Sequence, residues 1–124
     1  MVLFVERENK LFFEVGLCEQ RHEFKGLFGQ IVTRGIFPNT VEKIFDLSGH
    51  IHAVEEVLAG IPKEVTVIVY ISGCQPLLQA LYVYITNAAK DGNIPRIILA
   101  HYNTEIKSYQ YFCAQNGSEL YLQK

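Results

Sequence analysis

Charge is scarce in this chain, and neither sign dominates. Of 124 residues 19% are charged, with 11 Lys and Arg against 13 Asp and Glu, for a formal net charge of −2. With a pI near 6.1, the surface lacks the basic excess that holds a long nucleic-acid duplex or an anionic membrane. A small anionic ligand gripped by a few local donors is still allowed. Long apolar runs are missing too: no 18-residue stretch could span a bilayer, and no basic segment followed by an apolar one opens the chain. Cysteine is sparse. Cys18, Cys74 and Cys113 are far apart, odd in number and form no CxxC pair, which argues against a disulfide framework or zinc knuckle and makes the cytoplasm the expected compartment. Neither GxxxxGK[ST] nor GxGxxG occurs, so neither a Walker-type ATPase nor a dinucleotide-dependent dehydrogenase is expected. Without repeats, linkers or low-complexity segments, residues 1–124 read as one domain.

What the chain does have is apolar surface. Hydrophobic residues make up 49%, and the mean hydropathy of +0.12 is high for so small a domain. Helical segments that are apolar nearly all round call for burial against another chain, so a homodimer or higher homo-oligomer is expected.

The pattern along the chain alternates. Val2-Leu3-Phe4-Val5 and Leu11-Phe12-Phe13-Glu14-Val15 read as a hairpin around the polar turn Glu6 to Lys10. From Glu19 to Val32, Phe24, Leu27, Phe28 and Ile31 have helical spacing, weakened by Gly26 and Gly29. Phe37-Pro38-Asn39 marks a turn, and Val41 to Leu47 reads as a strand. A helix follows, with Ser48 as N-cap, Ile51, Val54, Leu58 and Ile61 inward, and Gly60 and Pro62 at its end. Val65 to Ile71 is continuous, β-branched and apolar, as in a strand buried on both faces of a parallel sheet. Ser72-Gly73-Cys74-Gln75 breaks it, Pro76 starts a helix carrying Leu77, Leu78, Leu81, Tyr84, Ile85 and Ala88, and Asp91-Gly92-Asn93 stops that helix. Arg96 to His101 is the next strand; Asn103 to Lys107 is a hairpin turn, and Ser108 to Cys113 and Gly117 to Leu122 are antiparallel edge strands. The expected fold is α/β, a Rossmann-like mainly parallel sheet with flanking helices and an antiparallel C-terminal edge.

In such a sheet ligands collect beyond the carboxyl ends of the strands. Three polar clusters fall there: Asp46-Ser48-His50-His52, Ser72-Cys74-Gln75 and His101-Asn103-Thr104. Around Ser72, Gly73, Cys74 and Gln75, a glycine that admits a close ligand precedes the free N–H groups of a helix, an arrangement suited to an anion or nucleotide. The alternative is that Ser72 caps the helix and Gly73 serves only the turn. His101 ends a central strand and could orient or deprotonate a hydroxyl, or else be a half-buried histidine bonded to backbone. His50, near a helix N-terminus, is either a second catalytic candidate or a capping residue; with His52 two positions on, the pair cannot easily share a metal. Asn103 and Thr104 are ligand candidates or turn chemistry. A Cys74–His hydrolase would need His101 or His50 beside the thiol. Tyr109, Tyr111 and Tyr121 alternate as strand residues do, fitting sheet packing or an interface better than base stacking.

The run Val67-Ile68-Val69-Tyr70-Ile71-Ser72-Gly73-Cys74-Gln75-Pro76, the apolar helix after it, Pro95 to His101-Tyr102-Asn103, and the closing strand Ser108 to Phe112 resemble the C-terminal half of small type III CRISPR-associated proteins. These are the compact ring nucleases and related Rossmann-like, CARF-like proteins that bind cyclic oligoadenylate. The resemblance spans about half of the chain. It implies cyclic tetra- or hexa-adenylate as ligand, held across a two-fold homodimer in which each protomer contributes a Ser72-Gly73 turn. It also implies cleavage through the ribose 2′-hydroxyl, with His101 or His50 assisting and Arg34 or Lys107 stabilising charge. The branch it resembles most carries an acidic residue in the hairpin and a histidine on the preceding helix for metal-dependent cleavage. Here Asn103 and the stretch Gln79 to Tyr82 stand in those places, so no metal or cofactor is expected. A non-catalytic sponge or sensor of the same ligand, and a homo-oligomeric interaction domain, are the alternatives.

Overall fold

The computed structural model describes residues 5–7, 10–19, 24–27, 31–32, 35–38, 41–72, 75–92 and 94–121. Its strands are β1 (Val5–Arg7), β2 (Lys10–Cys18), β3 (Phe24–Lys25), β4 (Ile31–Val32), β5 (Gly35–Phe37), β6 (Val65–Tyr70), β7 (Arg96–Asn103), β8 (Ser108–Cys113) and β9 (Glu119–Leu120); its helices are α1 (Leu47–Leu58) and α2 (Gln75–Lys90).

The β-branched run of β6 lies in the middle of the main sheet, parallel to β2 on one side and β7 on the other. Val65, Val67, Ile68, Val69 and Tyr70 are all buried, as a strand covered on both faces requires. On the outer edge of β2, β1 pairs antiparallel with Lys10–Phe12, while β5 pairs parallel along Gly16 and Cys18. Beyond β7 the sheet turns antiparallel, through β8 and then β9. Seven strands among the described residues thus build an α/β, Rossmann-like sheet with a parallel core and an antiparallel C-terminal edge.

Side-chain alternation divides this sheet into two faces. Phe13, Val15 and Leu17 of β2, with Val65, Val67, Val69, Ile97 and Leu99, meet Val54 and Leu58 of α1 and Leu77, Ala80, Leu81 and Ile85 of α2. On the opposite face Ile68, Tyr70, Ile98 and Ala100 meet Leu27 and Val32 from the β3–β4 hairpin, with Tyr109 and Tyr111 packed alongside. Among the described residues no helix is long and apolar enough to cross a membrane.

Three expectations are corrected. The segment 41–46 is not a strand: its backbone closes on itself through Asp46 N–H to Lys43 and Leu47 N–H to Phe45. The reason is spacing, since Val41, Ile44 and Leu47 pack against the core three residues apart where a strand needs two; β5 takes the strand's place. The stretch read as helical between Glu19 and Val32 contains the antiparallel pair β3–β4 instead, because the Leu27 N–H bonds to the side chains of Glu14 and Tyr70. The N-cap of α1 is Asp46, not Ser48: Gly49 N–H donates to Asp46 Oδ1 at 3.3 Å. The opening hairpin is present as β1 and β2, with Glu6, Arg7 and Lys10 of the expected turn paired in its strands; residues 2–4 and Leu122 lie outside the described residues.

Candidate functional site

Across the parallel core, the strand order is β5-β2-β6-β7. In chain order these are the second, first, third and fourth parallel strands, so the connections diverge between β2 and β6. In open α/β sheets a ligand crevice forms at such a switch point, outside the carboxyl ends of the strands. The β2 and β6 ends are tied together by the Cys18 thiol, which donates to the Ser72 carbonyl at 3.7 Å, and β6 is tied on to β7 by Ile71 N–H, which donates to the Ala100 carbonyl at 2.9 Å. Ser72 is half-buried and Gln75, opening α2, is exposed. Gly73 and Cys74 lie outside the described residues, as does Arg34.

His101 borders this edge. Tyr70 pairs with Ala100 in the β6–β7 register, so His101 stands next to Ile71, one residue before Ser72, with strands about 4.8 Å apart. Its ring meets Phe112 edge-on, with centroids 5.7 Å apart. Burial holds its pKa below the usual histidine value, so near pH 7 it is the neutral base rather than a cation. Neither ring nitrogen has a hydrogen-bond partner among the described residues.

The other histidine candidate is placed differently. His50 is 6% exposed; its Nε2 lies 2.7 Å from the Ile44 carbonyl, and its ring packs edge-on against Phe37. A carbonyl can only accept, so Nε2 carries the hydrogen. His50 therefore ties the turn before α1 to the helix. Ser48 is exposed in the first turn, and His52 is exposed and 3.1 Å from Glu56, one helical turn on.

The third cluster closes a turn. Asn103 Nδ2 donates to Gln110 Oε1 at 2.9 Å, and its Oδ1 accepts from Glu105 N–H at 2.9 Å. Thr104 is exposed in the 104–107 turn, which ends on Lys107 at φ 53. Asn103 is thus occupied within the hairpin, and of the predicted catalytic pair His50 has Nε2 engaged whereas His101 has neither ring nitrogen bonded among the described residues.

Two features escape sequence reasoning. A cavity of about 460 Å³ lies beside His101, reached by Tyr82 of α2 and by Gln110 and Phe112 of β8. Gln110 is the cross-strand partner of His101, a relation visible only once the hairpin register is known. The second is on the opposite face. The Tyr70 hydroxyl donates to Glu14 Oε2 at 2.5 Å, and Leu27 N–H lies 2.9 Å from both oxygens. Burial, and then the Glu14 carboxylate, push the Tyr70 pKa far up, so the phenol stays a donor. Glu14 inside the otherwise apolar run 11–18 is the available signal. Among the described residues no three His, Cys, Asp or Glu side chains gather as a metal site requires.

Together these features define an α/β domain whose topological switch point lies between β2 and β6, with a half-buried histidine at the carboxyl end of the adjacent β7. No protein-family model matches the chain, and no curated protein or solved structure matches it either.

Proposed function

We propose that this chain binds a cyclic oligoadenylate, the tetra- or hexa-adenylate ring, at the carboxyl edge of its parallel sheet, and opens the ring without a metal. The observation that carries the reading is the strand order: connections diverge between β2 and β6, directly at the Ser72–Gln75 junction whose sequence resembles the ring-binding family. A ring with two-fold symmetry suits a homodimer that presents this edge twice. The ligand is a cytoplasmic messenger, so the reading implies a cytoplasmic protein.

In the chemistry implied, His101 takes the proton of a ribose 2′-hydroxyl. The 2′-oxygen bonds to the adjacent phosphorus, the bond to the 5′-oxygen breaks, and that oxygen leaves as a hydroxyl with a proton from water, while His101 returns its proton to solvent. The product is a linear strand ending in a 2′,3′-cyclic phosphate. Positioning the 2′-oxygen in line with the breaking bond contributes most of the rate, and His101 supplies the unprotonated form that a general base requires.

The test incubates the full chain with stoichiometric labelled cyclic tetra- and hexa-adenylate. Expected are a thermal shift and timed release of the 2′,3′-cyclic phosphate product. His101→Ala is expected to retain the shift and lose cleavage. At a ligand concentration 100 times Kd, the stabilisation is about 2.7 kcal/mol. A tight complex from which the ring is recovered intact removes the enzyme and leaves a sponge or sensor. No shift with either ring removes the ligand reading and leaves the homo-oligomeric interaction domain.

A further inference from the structure

The first of the two helices that cover the sheet precedes β6, and the second joins β6 to β7. After β7 no third helix follows among the described residues; the chain turns directly into β8. The helix-side surface of the β7–β8 pair is therefore left without a helical lid beyond α2, and the 460 Å³ cavity lies there. Its volume falls in the range of small-molecule sites, roughly 300–1,000 Å³.

The cavity wall is specific in character. Tyr82 of α2 and Phe112 of β8 offer aromatic rings, and Leu99 an aliphatic surface. Tyr82 is 41% exposed, although it sits on a helix whose neighbouring Leu81 is fully buried. Besides the Tyr82 hydroxyl and the Cys113 thiol, polar side chains come from one cross-strand pair, His101 and Gln110. The imidazole nitrogens are unpartnered among the described residues. Gln110 is held in place by Asn103 Nδ2 at 2.9 Å and by Glu119 Oε2 at 3.3 Å. Among the described residues no Lys, Arg, Asp or Glu lines the cavity. A phosphate or carboxylate ligand would find no compensating charge. A flat neutral ring would find aromatic surface and a donor–acceptor imidazole edge.

We infer that this cavity is a ligand site in its own right, taking an uncharged, flat nitrogen heterocycle of nucleobase size against Tyr82 and Phe112, with its polar edge on His101. The site does not depend on the cyclic-oligoadenylate reading, because it needs neither the Ser72–Gln75 junction nor a phosphate contact. Gln110 is a positioning residue, fixing the floor of the cavity across from His101.

Adenine is the probe, titrated into the isotopically labelled full chain and followed by amide and imidazole NMR signals. Saturable shifts are expected at Tyr82, His101, Gln110 and Phe112. Adenosine 5′-monophosphate is expected to shift the same signals with no higher affinity. Tyr82→Ala is expected to weaken adenine about tenfold; because Tyr82 is partly exposed, the variant's otherwise unchanged spectrum verifies its fold. His101→Phe keeps the ring, removes the polar edge, and is expected to weaken adenine as well. Shifts confined to the Ser72–Gln75 junction, tighter binding of the monophosphate, or no saturable shift at millimolar adenine each overturn the inference. The cyclic rings supply the separating arm. If they fail to bind while adenine shifts the cavity signals, the proposed function falls and this site stands. If the rings bind while adenine does not, the site falls and the proposed function stands.

Discussion

The two faces of the sheet are buried by different means. Along β2, Phe13, Val15 and Leu17 belong to the helix-side core, with the apolar side chains of α1 and α2. On the other face Glu14 alternates with Phe12, and the cover is a two-stranded hairpin rather than a helix. Under α2 the helix side draws chiefly on area and shape, and many apolar side chains of similar volume would serve there; its polar tie is at the start of α1, where buried His50 bonds the Ile44 carbonyl. The hairpin side contains one polar arrangement in which a carboxylate, a phenol and a single backbone N–H satisfy one another. Polar groups of that kind fix position, since any sliding of the hairpin leaves a half-buried donor without its acceptor. A Cβ at Gly26 would overlap the Glu14 carboxylate and crowd the Tyr70 hydroxyl, so even the residue beside Leu27 is constrained.

Two substitutions test that contrast. Leu81, fully buried between α2 and the sheet, is expected to cost about 2–5 kcal/mol as Leu81→Ala in urea unfolding, because a cavity adds to the lost transfer energy. Tyr70→Phe keeps the ring against Tyr109 and Tyr111 and removes only the hydroxyl. Its expected cost is about 1–3 kcal/mol, the penalty for polar groups stripped of a partner. The informative readout is hydrogen exchange: Leu27 N–H should lose protection in Tyr70→Phe while the amides of β6 and β7 keep theirs. Equal loss of protection across both faces would mean that the hairpin contributes no more than generic cover.

The same contrast explains what can be read from the sequence. β6 and α2 are legible because their signals are local: a β-branched run, Pro76 at the helix start, and Gly92 at φ 67 past its end. The β3–β4 hairpin is not, because its backbone is held by residues 13 and 43 positions away, beyond the reach of any local pattern. Residues 35–47 mislead for a related reason: the strand there is only Gly35–Phe37, and the apolar residues after it belong to turns. Of the site, His101 is visible as the polar end of a strand. The cavity beside it is not, since it depends on the β7–β8 register and on the chain entering β8 where a third helix would otherwise lie. His50 is visible as a histidine near a helix start, but its bond to Ile44 depends on a turn whose apolar residues mimic a strand.

The smallest expected effect lies where the helical cover ends. His101 belongs to the helix-facing side by alternation with Ile97 and Leu99, yet only those two are fully buried. Partial burial disfavours its imidazolium in the folded chain and lowers its pKa from the ordinary 6.5. The unfolded chain therefore takes up this proton more readily. The contribution of neutral His101 to stability is complete above about pH 6.5, diminishes as pH falls through that value toward the lower folded one, and levels off once both states are protonated. His101→Gln removes the titration and keeps a polar side chain of similar length. Melting temperatures of the two proteins between pH 7.5 and 5 isolate the effect, because His50 and His52 are common to both. The variant should gain on the parent chain steadily as the solution is acidified, by less than either loss expected above. A constant difference would place His101 in full contact with water and the boundary of the helix-facing core at Leu99.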